Sequence, residues 1–144
     1  MIYLDSSSLL KLLWQEAESS AVVDAMTEEN NVVISVLTEM ETQIQLKAAY
    51  LGGDYSLPQL RRFEAQLSFL RNEPPYEFRT LPSAVFQTAL RQHRNSGNLH
   101  CRSLDRLHLA AMEELKITRL MTHDEGQAKA AIAAGFEVVR PVRD

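Results

Sequence analysis

The sequence predicts an α/β fold in three layers, α/β/α, around a central and mainly parallel sheet. Three observations carry this. Short apolar segments rich in β-branched or bulky residues recur along the chain, at Ile2-Tyr3-Leu4, Val32-Val33-Ile34, Leu120-Met121-Thr122 and Phe136-Glu137-Val138-Val139. Longer stretches with apolar residues at helical spacing separate them. Strands that run apolar without alternating need cover on both faces, the setting of parallel strands joined by helices. The length, 144 residues, fits a single domain over 1–144 whose core stands without staples.

Each element has a local reason. Ile2–Leu4 reads as a buried strand ending at Asp5. Ser6, Ser7 and Ser8 then open a helix through Leu9, Leu10, Leu12, Leu13 and Trp14, because a serine hydroxyl satisfies an orphan N–H of the first turn. A second helix covers Ser20 to Met26, and Val32–Ile34 is the second strand. Thr38 opens a helix with Met40, Ile44, Ala48 and Leu51 at its apolar positions, and Gly52-Gly53 ends it. Leu57 to Leu70 carries Leu60, Phe63, Leu67 and Leu70 on one face until Pro74-Pro75 breaks the pattern. Tyr76–Arg79 is a short strand, and Pro82 opens a helix containing Val85, Phe86, Ala89 and Leu90. His93 to Asn98 is a polar loop. Ser103 caps a helix with Leu104, Leu107, Ala111 and Leu115 inward. A strand at Leu120–Thr122, an Ala-rich helix from Gln127 to Ala134 stopped by Gly135, and the last strand complete the chain. The order of strands in the sheet does not follow from the pattern.

Composition excludes several classes. With 45% hydrophobic and 24% charged residues the chain has ample apolar surface to fold. The lone Cys101 excludes a disulfide framework and a cysteine-based zinc site. The longest apolar run, Ala130 to Ala134, is far too short to span a bilayer, and Met1 to Asp5 lacks the basic start of a signal peptide. A cytoplasmic protein without membrane association is the expectation. Charge is uneven: residues 1–45 carry eight acids and one base, Lys11, whereas residues 46–110 carry nine bases and five acids. A basic middle on an acidic molecule suits local contact with a polyanion, and equally suits a set of solvated helix faces.

In open parallel sheets, ligand sites lie beyond the carboxyl ends of the strands. Asp5 follows the first strand, Glu41 lies early in the helix after the second, and Asp124 follows the Leu120–Thr122 strand. Asp105 occupies the first turn of the helix opened by Ser103. Each has a purely structural alternative. Thr38-Glu39-Met40-Glu41 and Thr122-His123-Asp124-Glu125 both have the form of a capping box, Asp5 can cap the first helix, and Asp105 suits the positive end of a helix dipole. Four acids gathered at one sheet edge, however, repel one another unless a cation neutralises them, and a hard divalent ion such as Mg²⁺ or Mn²⁺ is the natural one.

Four segments make the chain resemble a PIN domain, and most of all the VapC-type toxins of type II toxin–antitoxin systems. They are Ile2-Tyr3-Leu4-Asp5-Ser6-Ser7, Leu37-Thr38-Glu39-Met40-Glu41, Ser103-Leu104-Asp105-Arg106-Leu107-His108-Leu109-Ala110, and Thr122-His123-Asp124. The third is the most specific. The spacing from Thr38 selects Glu41 over Glu39 as the second acid. Gln127 stands where the family often has Phe or Leu, Gly126 weakens the start of that helix, and Ser6 replaces a commoner Thr. The resemblance implies a Mg²⁺- or Mn²⁺-dependent endoribonuclease using one or two ions, with Asp5, Glu41, Asp105 and Asp124 as metal ligands and catalytic acids. Water activated by the metal would hydrolyse an RNA phosphodiester. Ser7 is a candidate to orient a carboxylate or a phosphate. Around the third acid, Arg91, His93, Arg94, Arg102 and Arg106 are candidates for RNA phosphates, although Arg106, one residue from Asp105 on a helix, points to a different side; His108 is read mainly as a packing residue. The resemblance also implies a cognate antitoxin lying along the first helices near Leu12, Leu13 and Trp14, and a homodimer. The competing expectation is a noncatalytic PIN-like module that binds RNA or a protein and keeps its acids for structure. A phosphotransfer enzyme is disfavoured, because Asp5 is followed by serines rather than a second acid at position 7 and no P-loop glycine pattern occurs.

Overall fold

The computed structural model describes residues 1–142. In chain order the elements are β1 (Ile2–Leu4), α1 (Ser6–Leu13), α2 (Ser19–Thr27), β2 (Val32–Ser35), α3 (Val36–Leu51), α4 (Leu57–Phe69) with a 3₁₀ turn at Leu70–Asn72, β3 (Tyr76–Arg79), α5 (Val85–Arg94), α6 (Ser103–Leu115), β4 (Arg119–Met121), α7 (Glu125–Ala133) and β5 (Glu137–Val139). The five strands form one sheet in the order β3-β2-β1-β4-β5, with all neighbours parallel. Tyr3 is paired to Val33 on one side and to Leu120 on the other, so β1 sits at the centre of the sheet.

The two-residue period of the strands divides the core. Ile2, Leu4, Val32, Ile34 and Met121 pack on one face against α1 to α4, with Leu9, Leu13, Met26, Leu46, Phe63 and Leu67. Tyr3, Val33 and Leu120 face the other way, against Val85, Leu109, Met112 and Ala131 of α5 to α7. This is the three-layer α/β/α arrangement. From β1 the chain steps to β2 and β3 on one side, then returns to place β4 on the other. The strands therefore diverge around β1, and the crevice at their carboxyl ends is the usual ligand site of such sheets. None of the helices among the described residues is long and apolar enough to cross a membrane.

Several local expectations shift. The helix expected from Thr38 begins at Val36, because Ser35 at the end of β2 is itself the cap: its Oγ accepts from Thr38 N at 3.2 Å. Thr38 is thus inside the helix, its hydroxyl donating to Leu4 O at 2.9 Å, and no capping box forms with Glu41. The inward face of α3 is Leu37, Thr38, Thr42 and Leu46, whereas Met40, Ile44 and Leu51 are exposed. The helix expected from Pro82 starts at Val85, since the Pro82 and Ser83 carbonyls close turns on Val85 and Phe86. It extends through His93 and Arg94, so the polar loop begins at Asn95. Ser103 is the first residue of α6 rather than its cap; Arg102 holds the cap position without capping through its side chain. Within α6 the core residues are Leu109 to Met112, and Leu104 is exposed. The last helix starts two residues early, at Glu125, capped by Asp124.

Candidate active site

Asp5 leaves β1 at the switch point. Its backbone N–H still donates to Met121 O of β4 at 3.2 Å, which fixes the carboxylate beside that strand. The side chain caps α1, accepting from Ser8 N at 3.2 Å and from Ser7 Oγ at 2.7 Å on Oδ1, while Thr122 Oγ1 donates to Oδ2. Asp5 is only 4% exposed. Burial pushes its carboxyl above the ordinary range, and the hydrogen bonds from Thr122 and Ser7 offset this only in part. Structural capping and a poised, desolvated acid therefore coexist in one side chain.

Thr122 links two acids, since its hydroxyl donates to Asp5 and accepts from Asp124 N at 3.1 Å. The sequence offered Thr122 as half of a capping box. Asp124 is instead the N-cap of α7, its Oδ1 accepting from Gln127 N at 2.8 Å. Gln127 also donates its side-chain Nε2 to Asp105 O at 3.1 Å and is almost fully buried, so it ties the first turns of α6 and α7 together. The polar residue where Phe or Leu was expected thus makes a specific contact, although its Oε1 is left without a partner. Asp105, in the first turn of α6, pairs with Arg102 Nε at 3.0 Å, and Arg102 Nη2 reaches Asp124 at 3.3 Å. The two carboxylates hold the Arg102 guanidinium firmly protonated, chiefly through the bond to Asp105.

Glu41, on the second turn of α3, meets His108 Nε2. His108 lies one turn beyond Asp105 on the inward face of α6 and is buried. Its Nδ1 is 2.7 Å from Tyr3 Oη, which is 2.7 Å from Ser35 Oγ. Burial pushes the Tyr3 phenol well above its ordinary value, so it stays protonated. Read from sequence as mainly a packing residue, His108 also reaches the site. Its spacing of three from Asp105 was the available signal. Nothing local pointed to its partner Tyr3, 105 residues away.

Asp5, Glu41, Asp105 and Asp124 all line one cavity of about 380 Å³, together with Ser7, Arg102 and His108. Of the basic candidates, only Arg102 lies in its wall. Arg91 pairs with Glu113, Arg94 is exposed at the end of α5, and Arg106 is buried against Gln92 at 3.3 Å; these three do not line the carboxylate cavity. His93 lies on a separate groove between α5 and α6. Proximity to Asp105 in sequence misplaced them: Arg91 and Arg94 lie on α5, and Arg106 is turned about 100° from Asp105 along α6. Chemically the donor set is four carboxylates, hard oxygen ligands of the kind Mg²⁺ and Mn²⁺ take. As the side chains stand, no three His, Cys, Asp or Glu among the described residues converge into a ready ligand cluster; Arg102 pairs with Asp105 and Asp124, and His108 with Glu41.

Residues 2–133 match the family model of the PIN domain. The chain belongs to the PIN-domain family. This PIN domain is 32% identical over 151 residues to Ribonuclease VapC35 of Mycobacterium tuberculosis, covering 98% of this chain and 97% of the relative. Its fold is similar to the crystal structure of Mycobacterium tuberculosis VapC20, a Sarcin-Ricin loop cleaving toxin, with TM-score 0.72 at 17% identity over 98% of this chain and 100% of that one. It is also similar to VapBC2 from Rickettsia felis bound to a DNA fragment from their promoter, with TM-score 0.69 at 14% identity over 97% and 98% of the two chains.

Proposed function

We propose that this PIN domain is a metal-dependent endoribonuclease of the VapC type, the toxin of a type II toxin–antitoxin pair. The observation that carries the reading is the meeting of Asp5, Glu41, Asp105 and Asp124, from four separate segments, in one cavity at the carboxyl edge of the sheet. The full-length similarity to a ribonuclease supports the reaction class. These four acids would hold one or two Mg²⁺ or Mn²⁺ ions, with Asp105 and Asp124 releasing Arg102 to do so. Such an ion lowers the pKa of water and neutralises charge developing on the phosphoryl group. Arg102, once released and largely exposed, is placed to meet a phosphate at the rim of the same cavity. Ser7 keeps its proton on Asp5 and so orients that carboxylate; its Oγ in turn accepts from His123 N at 2.9 Å. Gln127 and Thr122 fix Asp124 relative to Asp105 and Asp5.

An antitoxin and a second copy of the chain complete the proposal. A mostly apolar groove of about 420 Å³ runs beside Leu12, Leu13, Phe69, Leu70 and Tyr76, and suits an apolar antitoxin segment. Leu13 is a core residue, whereas Leu12 and Trp14 are half-buried and leave part of their surface open. Val36, Met40 and Ile44 of α3 and Phe86 and Leu90 of α5 are exposed and offer apolar surface for a homodimer. The engagement of three acids by Arg102 and His108 favours the second reading, a noncatalytic RNA- or protein-binding module. Cleavage of a labelled RNA in Mn²⁺, with wild type, Asp105→Asn and Glu41→Gln, separates the two. The nuclease reading expects cleavage by wild type only, with both variants folded. No cleavage by wild type, or equal cleavage by all three, contradicts it.

A further inference from the structure

A second cavity of about 290 Å³ lies between α5, α6 and α7 and shares no lining residue with the carboxylate cavity. Arg106 forms part of its wall and is 93% removed from solvent, at 7% exposure. The one hydrogen bond of its guanidinium among the described residues is to a neutral acceptor, Gln92 Oε1 at 3.3 Å, and its Nε is buried without any partner. The acid in the same cavity, Glu113, is taken by Arg91 and by Gln92 Nε2 at 3.4 Å. Two guanidinium groups thus face one carboxylate, and the buried guanidinium is the one left without it. A buried, unpaired cation is costly in a protein interior, and an anion is what removes the cost. Asn95 and Ser96 add polar groups at the same end, while Ala130, Ala134 and Phe136 make an apolar wall. The volume is at the lower edge of the ~300–1,000 Å³ usual for small-molecule sites.

We infer that this cavity binds a small phosphorylated ligand, its phosphate between Arg106 and Arg91 and its remaining body against the Phe136 wall. Guanidinium groups are suited to phosphate oxygens because their N–H donors match them in pairs. The inference does not depend on the nuclease reading, since none of the four proposed metal ligands lines this cavity.

Calorimetric titration of the full chain in EDTA tests it, with inorganic phosphate, AMP and adenosine as probes and wild type, Arg106→Gln, Arg91→Gln and Asp5→Asn as proteins. The expected result is saturable binding of AMP by wild type and Asp5→Asn, at least about tenfold weaker in each arginine variant, as loss of a charge-assisted bond requires. Arg91 is exposed, so Arg91→Gln stays informative if the buried Arg106 variant does not fold. Tighter binding of AMP than of phosphate supports use of the apolar wall; equal affinity for the two overturns the placement of the ligand's body against Phe136. Adenosine binding as well as AMP, no binding of either phosphorylated probe, or full affinity in Arg91→Gln overturns the inference. AMP binding lost in Asp5→Asn would make binding depend on the other cavity and overturn the inference too, without touching the nuclease proposal.

Discussion

Replacing Tyr3 by Phe removes one oxygen atom from the middle of the sheet and tests how Glu41 is held. An ionised Glu41 only accepts, so His108 carries a proton on Nε2, and in the neutral form of the ring Nδ1 is then an acceptor. Tyr3 Oη–H then donates to Nδ1 and accepts from Ser35 Oγ–H, giving one polarity from β2 to Glu41. In Tyr3→Phe the ring packing among Val33, Leu109 and Leu120 survives, and Ser35 Oγ keeps its bond from Thr38 N. His108 Nδ1 is stranded in a site of 2% exposure. An unsatisfied buried acceptor costs about 1–3 kcal/mol, or roughly 3–10 °C of melting temperature for a chain of this size. Loss of an outer partner of a metal-ligating side chain typically costs about 10–100-fold in affinity or activity. Thermal melts in metal-free buffer and Mn²⁺-dependent RNA cleavage read the two effects separately. A variant that melts with wild type and cleaves at the same rate would refute the reasoning, because His108 would then not depend on Tyr3 to present Nε2 to Glu41.

Further tests reach the other acids and the helix ends. Asp5→Asn should melt higher than wild type without metal yet lose cleavage by roughly a hundredfold or more, since the proposed ion would supply several kcal/mol of transition-state stabilisation. The sign follows from burial: the folded state binds the Asp5 proton more tightly than the unfolded state, so its contribution to stability falls as pH rises from the ordinary carboxylate value through the raised one and stays low above it. Melting temperature against pH, measured across that window, should fall less steeply for Asp5→Asn; an identical profile would contradict a desolvated carboxylate. Arg102→Ala should leave the melting temperature nearly unchanged, because the side chain is largely exposed, and should lower the Mn²⁺ concentration needed for half-saturation by removing a competing cation. Lys116 ends α6 in the left-handed conformation at φ 59°, so Lys116→Gly should gain on the order of 0.5–1 kcal/mol, read as a melting rise of a few degrees.

How far the sequence carries can be judged from particular residues. The strands were legible because Ile2–Leu4, Val32–Ile34 and Leu120–Met121 are apolar on both faces, and even the edge strand Tyr76–Arg79 stood out between prolines and polar residues. Strand order was not, since the pairing of Tyr3 to both Val33 and Leu120 is set by long-range packing. Helix faces were read less well than helices. Met40 and Ile44 supply the apolar period of α3, but two threonines with satisfied hydroxyls, Thr38 and Thr42, face inward in their place. Asp105, in the first turn of α6, follows no strand and stood out through the resemblance, whereas Asp5, Glu41 and Asp124 were legible because each closely follows a strand of the parallel sheet. The groups that hold them were not: Thr122, Tyr3 and Gln127 act through contacts spanning 117, 105 and 22 positions, for which local spacing has no signature. Arg91, Arg94 and Arg106 were chosen for nearness in sequence to Asp105, but Arg91 and Arg94 belong to α5 and Arg106 faces another side of α6, so none reaches the cavity.

The central claim is that these carboxylates jointly hold a divalent ion. Melting temperature titrated with Mn²⁺ measures this directly, since a ligand of the folded state stabilises it by RT ln(1 + [L]/Kd). Wild type should melt progressively higher as Mn²⁺ rises, and Asp105→Asn and Glu41→Gln should need at least about tenfold more ion for the same shift. A flat wild-type response, or variants that respond as strongly as wild type, would contradict it.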